Sequence, residues 1–403
     1  MPYSTVVDKP LRIPDAFSMD NDIAAQSQAA FLLYAGILFK PTHILARYRK
    51  RPPDPESVPP EDLESLGIPP DVAKMGIEVS PENLLLTELI NEIEKENALS
   101  PGTISGTLIG QPIYAKPISE LQTKYTVQFF EIRDAQSLLR LLAVSLHHSD
   151  ELVRVAAAIS YLDAVDGFFI PHPTFQGDME RLVSILALGT ASKELLIRDV
   201  AATALARILP EHPALVPLLQ NTDYGGEGEP AHTSLIIHGT WARTASWWQP
   251  GGDFHTYILQ SVDPSVYSGS DRFEWSGGYS DQARALAALT LTAWVQGKGL
   301  ESPDFFAHSH GANVVLLANQ AIDIGRMVLL ACPVHPHKYW PNFGHVNRVV
   351  SVRVRLDLVI LADRGGQRFN HPDIIENVLP VWFDHSAPHE PDIWIRYDVP
   401  TKI

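Results

Sequence analysis

From residue 234 onward, short apolar runs alternate with longer helix-patterned stretches. No other feature of the chain limits its fold as much. The runs are Ser234–His238, Arg272–Trp275, Phe305–Ala307, Arg326–Ala331, Arg348–Val354 and Val378–Phe383. Between them, Asp281–Trp294 and Ala312–Ile322 place apolar residues at helical spacing. Strands that are apolar along their length are covered on both faces, and strands separated by helices pair in parallel through crossovers. The expected class for residues 230–403 is therefore α/β. In such sheets ligands sit beyond the carboxyl ends of the strands, so chemistry is sought just after each run.

The chain before that point has another texture. Residues 221–230, NTDYGGEGEP, combine three glycines and three acids and mark a domain boundary. From about 135 to 220 the pattern is helical and repeats. Leu138–Ala143 can be laid over Leu182–Ala187, and the same offset of 44 residues brings Arg154 onto Arg198, Ala157 onto Ala201 and Ala158 onto Ala202. Helical repeats of about 40–47 residues have this period. Residues 131–221 thus resemble HEAT-like repeats, which implies a binding surface for a protein partner or a platform for the following domain. The plainer alternative is an all-helical domain with a coincidental internal match. Residues 1–130 form a third region. It contains the apolar stretch Ile23–Phe39, read as a buried helix, and the proline- and acid-rich stretch 52–70, read as an extended or irregular linker or arm. A helix is expected over 81–98, and a loop or hairpin over 101–117.

Composition excludes several function classes. Asp and Glu total 47 against 31 Lys and Arg, for a net charge of −16. Phosphate-backbone binding needs the opposite balance, so nucleic acid is not expected as a partner. One cysteine, Cys332, allows no internal disulfide and fits a reducing compartment, so a cytoplasmic protein is expected. The stretch Ile23–Phe39 contains Gln26, Ser27 and Gln28 and follows acidic residues, so neither a signal peptide nor a transmembrane segment is expected. No cofactor is expected, because neither glycine-rich nucleotide motif occurs. His335, His337 and His345 have no cysteine or paired carboxylate at ligand spacing, so no metal is expected either.

The residues after the apolar runs suit acyl transfer. Phe305-Phe306-Ala307 leads into His308-Ser309-His310-Gly311 and then a helix, the pattern of a nucleophile elbow, usually G-x-S-x-G. The turn strains the serine backbone and aims Oγ out of the sheet. A capping serine at an ordinary strand–helix junction would give similar text. An activated serine needs a base, a carboxylate to orient it, and donors for the oxyanion. His385 follows the last run and is the expected base, with His389 the alternative. Asp357 leaves the run before it and is the expected acid, with Asp363 the alternative. One oxyanion donor is assigned to the backbone N–H of Thr240, after the His238-Gly239 turn. The other is the N–H of His310. His238 is expected to stabilise its loop. Trp241, Trp247 and Trp340 are candidates to wall a substrate pocket, and residues 333–345 are expected to form at most a small lid.

The order Ser309, Asp357, His385 resembles that of α/β-hydrolases. His238-Gly239-Thr240-Trp241-Ala242-Arg243 resembles the HGT[FW]-A-R opening of a bacterial-type lipase/esterase-like group. Phe273-Glu274-Trp275-Ser276-Gly277-Gly278 with Ala283-Arg284 and Ala287-Ala288 resembles its W-S-G…A-R…A-A segment. His308-Ser309-His310-Gly311-Ala312-Asn313 resembles its H-S-H-G-G-N elbow. Ala307 and Ala312 stand where that pattern has glycines. The resemblance covers residues 230–403 and implies a compact α/β-hydrolase domain that cleaves an ester or lipid through an acyl-enzyme on a catalytic triad. The alternative is a hydrolase-like scaffold with minimised catalysis, binding a partner through the helical repeats.

Overall fold

In the computed structural model of the chain, Asn21 opens the first long helix. Its side-chain oxygen accepts the N–H of Ala24 at 2.9 Å, satisfying a donor that the helix leaves unpaired. This helix, α1 (Asp22–Leu38), is buried from Ala24 to Leu38, as a helix apolar all round should be. Its polar residues find partners: Gln28 donates to the Ala16 carbonyl at 2.7 Å, and Ser27 Oγ accepts the Leu11 N–H at 3.1 Å. Among the described residues no helix is long and apolar enough to cross a membrane. The structure describes residues 6–40, 58–79, 85–113, 116–165, 173–219, 234–269 and 271–403. The expected boundary at 221–230 lies outside them. The chain divides into two units, Met1–Leu205 with Leu361–Arg364, and Ala206–Ile360 with Gly365–Ile403.

The N-terminal region is helical: α1, α2 (Leu86–Glu96), α3 (Lys116–Ile132), α4 (Ala135–Ser145), α5 (Glu151–Val165), α6 (Pro173–Gly189) and α7 (Leu195–Ile208). The 44-residue offset read from the sequence governs the helix boundaries as well. Ser145 and Gly189 end α4 and α6, and Glu151 and Leu195 begin α5 and α7. Ala157, Ala158, Ala201 and Ala202 are fully buried. A Cβ on Gly189 would lie 2.8 Å from the Ala201 methyl, so glycine permits this close helix approach. The proline-rich stretch departs from expectation where it is described: Pro60–Ser65 and Pro70–Ala73 are short helices. Proline at the first helical position is pre-set for the turn and lacks the N–H that would go unpaired there. A linker-like composition was therefore misleading.

The short segment Leu361–Arg364 belongs to this first unit. Its Arg364 guanidinium is buried, donates to the Leu33 carbonyl at 2.7 Å, and pairs with the buried Asp163 carboxylate, Nε to Oδ2 at 3.1 Å. Gly36 makes the room, since a Cβ there would lie 2.5 Å from Arg364 Nη2.

In the second unit, β1 (Ser234–Ile237), β2 (Asp304–His308), β3 (Ile324–Leu330), β4 (Val346–Arg355) and β5 (Ile374–Trp382) form one sheet in the order 1-2-3-4-5. Every pairing is parallel, and Ile237, Ala307 and Leu329 stand side by side. Helices α8 (Asp281–Gly297) and α9 (His310–Ala318) lie between β1 and β2 and between β2 and β3 in the chain. The run Arg272–Trp275 is not a strand. Its alternation of buried Phe273 and Trp275 with the ion pair of Arg272 and Glu274 reflects an extended loop, and Trp275 Nε1 donates to the His238 carbonyl at 2.8 Å.

Four strands leave the sheet through a left-handed non-glycine residue: Ser309 (φ 53°), Ala331 (φ 47°), Leu356 (φ 48°) and Phe383 (φ 72°). Each such residue costs on the order of 1–3 kcal/mol and persists only where neighbours over-determine it. Here the ladder extends one residue past the strands. Ser309 N–H donates to Leu330 O at 2.8 Å, Ala331 N–H to Val352 O at 2.9 Å, and Phe383 N–H to Arg355 O at 3.1 Å.

The Arg364–Asp163 pair yields a stability test. Arg364→Met removes the guanidinium from the buried Asp163 carboxylate and should lower the unfolding free energy by about 3–5 kcal/mol in urea titration. Arg364→Met with Asp163→Leu should recover most of that loss. A single variant as stable as the parent would contradict this account of the pair.

Candidate active site

The site is assembled at the carboxyl ends of the strands. Ser309 follows β2 directly, with φ 53° and ψ −132°, and begins α9 without making a side-chain cap bond. A serine placed there for capping would have accepted an N–H of the first turn. The elbow closes by the Ala312 N–H donating to Ser309 O at 2.9 Å. Two glycines permit the close approach around it. A Cβ on Gly239 would lie 2.8 Å from Ser309 Cβ, and one on Gly311 would lie 2.3 Å from the His238 carbonyl oxygen. Ala307 and Ala312, on either side of the turn, are both fully buried, so their methyls are accommodated.

Asp357 leaves β4 after Leu356 and caps α10 (Leu358–Asp363). Its Oδ1 accepts the N–H groups of Val359 at 2.9 Å and Ile360 at 3.1 Å. Its Oδ2 meets His385 Nδ1 at 2.7 Å, with both side chains buried. A carboxylate can only accept, so Nδ1 carries a proton, and in the neutral ring the lone pair is then on Nε2. Gln367 clamps the acid's backbone from both sides: its Oε1 accepts the Asp357 N–H at 3.0 Å, and its Nε2 donates to the Asp357 carbonyl at 3.1 Å. No sequence signal points to Gln367, since it acts on main chain ten residues away. Asp363, the alternative acid, is buried at the far end of α10 in the segment that folds with the helical unit.

His389, the alternative base, is oriented by aromatic rings. It lies flat on Trp247, with centroids 4.2 Å apart and planes 8° apart, and edge-on to His308 at 4.6 Å. Burial drives its pKa down to about 3. His238 is fixed in a similar way, between Trp248 at 4.7 Å and Trp275 at 5.6 Å, and burial lowers its pKa to about 4. Thr240 follows Gly239, and its Oγ1 is buried without a hydrogen-bond partner. Trp241 is left-handed at φ 62° and donates its N–H to Gly277 O at 3.1 Å. His310 is held by Asn313, whose Nδ2 donates to His310 Nδ1 at 2.9 Å, and Tyr279 stands edge-on to it at 5.2 Å.

The three pocket candidates separate. Trp247 packs on the histidine cluster and Trp241 stands in the turn after Gly239. Trp340 belongs to another aromatic group, with Phe369 at 5.6 Å and His371 at 5.8 Å. Residues 333–345 are pinned rather than lid-like. Val334 bridges to Gly366, Tyr339 Oη donates to Asp281 at 2.8 Å, and Lys338 pairs with Asp281 at 2.6 Å. Among the described residues, no group of three or more His, Cys, Asp and Glu side chains is placed to hold a metal ion. No protein-family model matches the chain, and no curated protein and no solved structure matches it.

The buried imidazoles make stability depend on pH. Unfolded, His238 and His389 take up a proton near pH 6.5; folded, they resist protonation down to about 4 and about 3. Between those limits the unfolded chain binds more protons, so stability falls as pH falls through that window, by on the order of 1 kcal/mol per pH unit for each histidine. Urea unfolding at pH 7.5 and 5.5 should show the loss, and His389→Phe should lessen it. An unchanged slope in that variant would contradict the assignment of a neutral, half-buried His389.

Proposed function

We propose that the chain is a serine hydrolase that cleaves carboxylic esters through an acyl-enzyme on Ser309. The observation that carries the reading is the 2.7 Å contact of His385 Nδ1 with Asp357 Oδ2, at strand exits of the sheet that presents Ser309 in a left-handed turn. A neutral ring with Nδ1 protonated presents the Nε2 lone pair as a proton acceptor, which is what a general base beside a hydroxyl must offer.

In this reading Ser309 Oγ attacks the ester carbonyl carbon while its proton passes to His385 Nε2. Asp357 stabilises the resulting imidazolium. The N–H groups of Thr240 and His310 take the oxyanion of the tetrahedral intermediate. The C–O bond to the alcohol breaks, the alcohol leaves with the proton from Nε2, and the acyl group stays on Oγ. Water then attacks the acyl carbon and gives its proton to Nε2. The acid departs and Oγ recovers the proton. Trp241 and Trp247 supply an aromatic wall suited to an apolar acyl group or lipid. In the same reading the helix pairs α4–α5 and α6–α7, offset by 44 residues, are HEAT-like repeats serving as a platform or protein-binding surface.

A fluorophosphonate probe tests the proposal. The folded chain should be labelled, with the adduct mapped by mass spectrometry to Ser309 and absent in Ser309→Ala. Turnover of a short-chain ester should fall at least about 10³-fold in His385→Ala and far less in His389→Ala. Folded protein that neither labels nor turns over would favour a binding scaffold. Collapse in His389→Ala alone would move the base to that residue.

A further inference from the structure

The histidine before Ser309 has a geometry that the reaction above leaves unused. His308 ends β2 and is buried, with Nε2 3.0 Å from the main-chain carbonyl oxygen of His385. A carbonyl oxygen only accepts, so Nε2 carries the proton and Nδ1 the lone pair. That Nδ1 is buried with no hydrogen-bond partner among the described residues. It faces Gly239, where a Cβ would lie 3.1 Å away. The ring stands 4.7 Å from that of His385, and edge-on to His389 at 4.6 Å and Trp247 at 5.5 Å. Burial first, then the neighbouring His389 and His385, hold its pKa well below 6.5. A neutral ring here sets no second positive charge beside the imidazolium that the base must become.

We propose that His308 is a positioning residue for His385: its Nε2–H ties the backbone of the base to the strand that carries the nucleophile. Asp357 fixes the imidazole through Nδ1, which sets the ring's rotation. The carbonyl bond fixes the backbone from which the ring hangs, which sets its distance from Oγ. A hydrophobic residue would fill the same space and make no such tie. His308 does not touch the reacting ester; it acts through His385. This inference rests on the esterase reading of the site.

Two substitutions separate the donor from the packing. His308→Phe keeps an aromatic ring and removes the donor. His308→Gln sets an amide Nε2 close to where the imidazole Nε2 stands. In His308→Phe, kcat on a short-chain ester and the rate of fluorophosphonate labelling should fall together by about tenfold to a hundredfold, as a misplaced catalytic group predicts. KM should stay within about twofold. His308→Gln should restore most of the rate. If the Phe variant does not fold, His308→Asn, whose donor is too short to reach the carbonyl, carries the same expectation. Equal losses in the Gln and Phe variants, or a Phe variant as fast as the parent, would overturn the inference while parental labelling still upholds the esterase reading. An unlabelled, inactive parent would overturn both.

Discussion

The hydrogen bond from Ser309 N–H to Leu330 O holds the serine in a conformation it would not adopt alone. At φ 53° a side chain crowds its own backbone, so the conformation persists only where neighbours hold it. The neighbouring strand holds it by extending the ladder one residue too far. The same device recurs at Ala331 and Phe383. The rim is therefore a row of strained exits fixed by neighbouring strands, and two of the residues just beyond them, Asp357 and His385, meet. Asp357 follows Leu356, His385 lies two residues beyond Phe383, and Ser309 is itself an exit.

Around that rim the protein buries uncharged imidazoles. His238 lies between two indoles, His389 lies on a third, and His308 stands between His389 and His385. Burial disfavours the cation, so each ring acts as a flat, polarisable filler with one N–H to direct. Of these four rings, His385 is the one whose described contacts include a carboxylate, which would compensate a positive charge there. The cluster thus separates one imidazole suited to proton transfer from others suited to holding loops.

Much of this was legible in the chain, because each part is local. A strand, a small-residue turn and a helix write the elbow in consecutive letters. Asp357 and His385, which the structure pairs, each follow an apolar run. The 44-residue offset of α4–α5 and α6–α7 showed in leucines and alanines because packing helices repeat their contacts. What stayed hidden has physical reasons too. Alternation in Arg272–Trp275 marks burial, and burial does not require pairing. Pro60 and Pro70 read as linker text although proline opens helices. Trp340 resembles the other tryptophans in composition, but its partners, Phe369 and His371, lie far along the chain. Gln367 and His308 act on main-chain atoms, which no side-chain motif records.

The central claim is that Ser309 Oγ and two backbone N–H groups face one point in space. A crystal structure of the chain after reaction with a fluorophosphonate measures this directly. The account predicts phosphorus bonded to Ser309 Oγ, its free oxygen within hydrogen-bond distance of the N–H groups of Thr240 and His310, and His385 Nε2 beside the serine oxygen. An adduct on another residue, or a phosphoryl oxygen turned away from both amides, would contradict it.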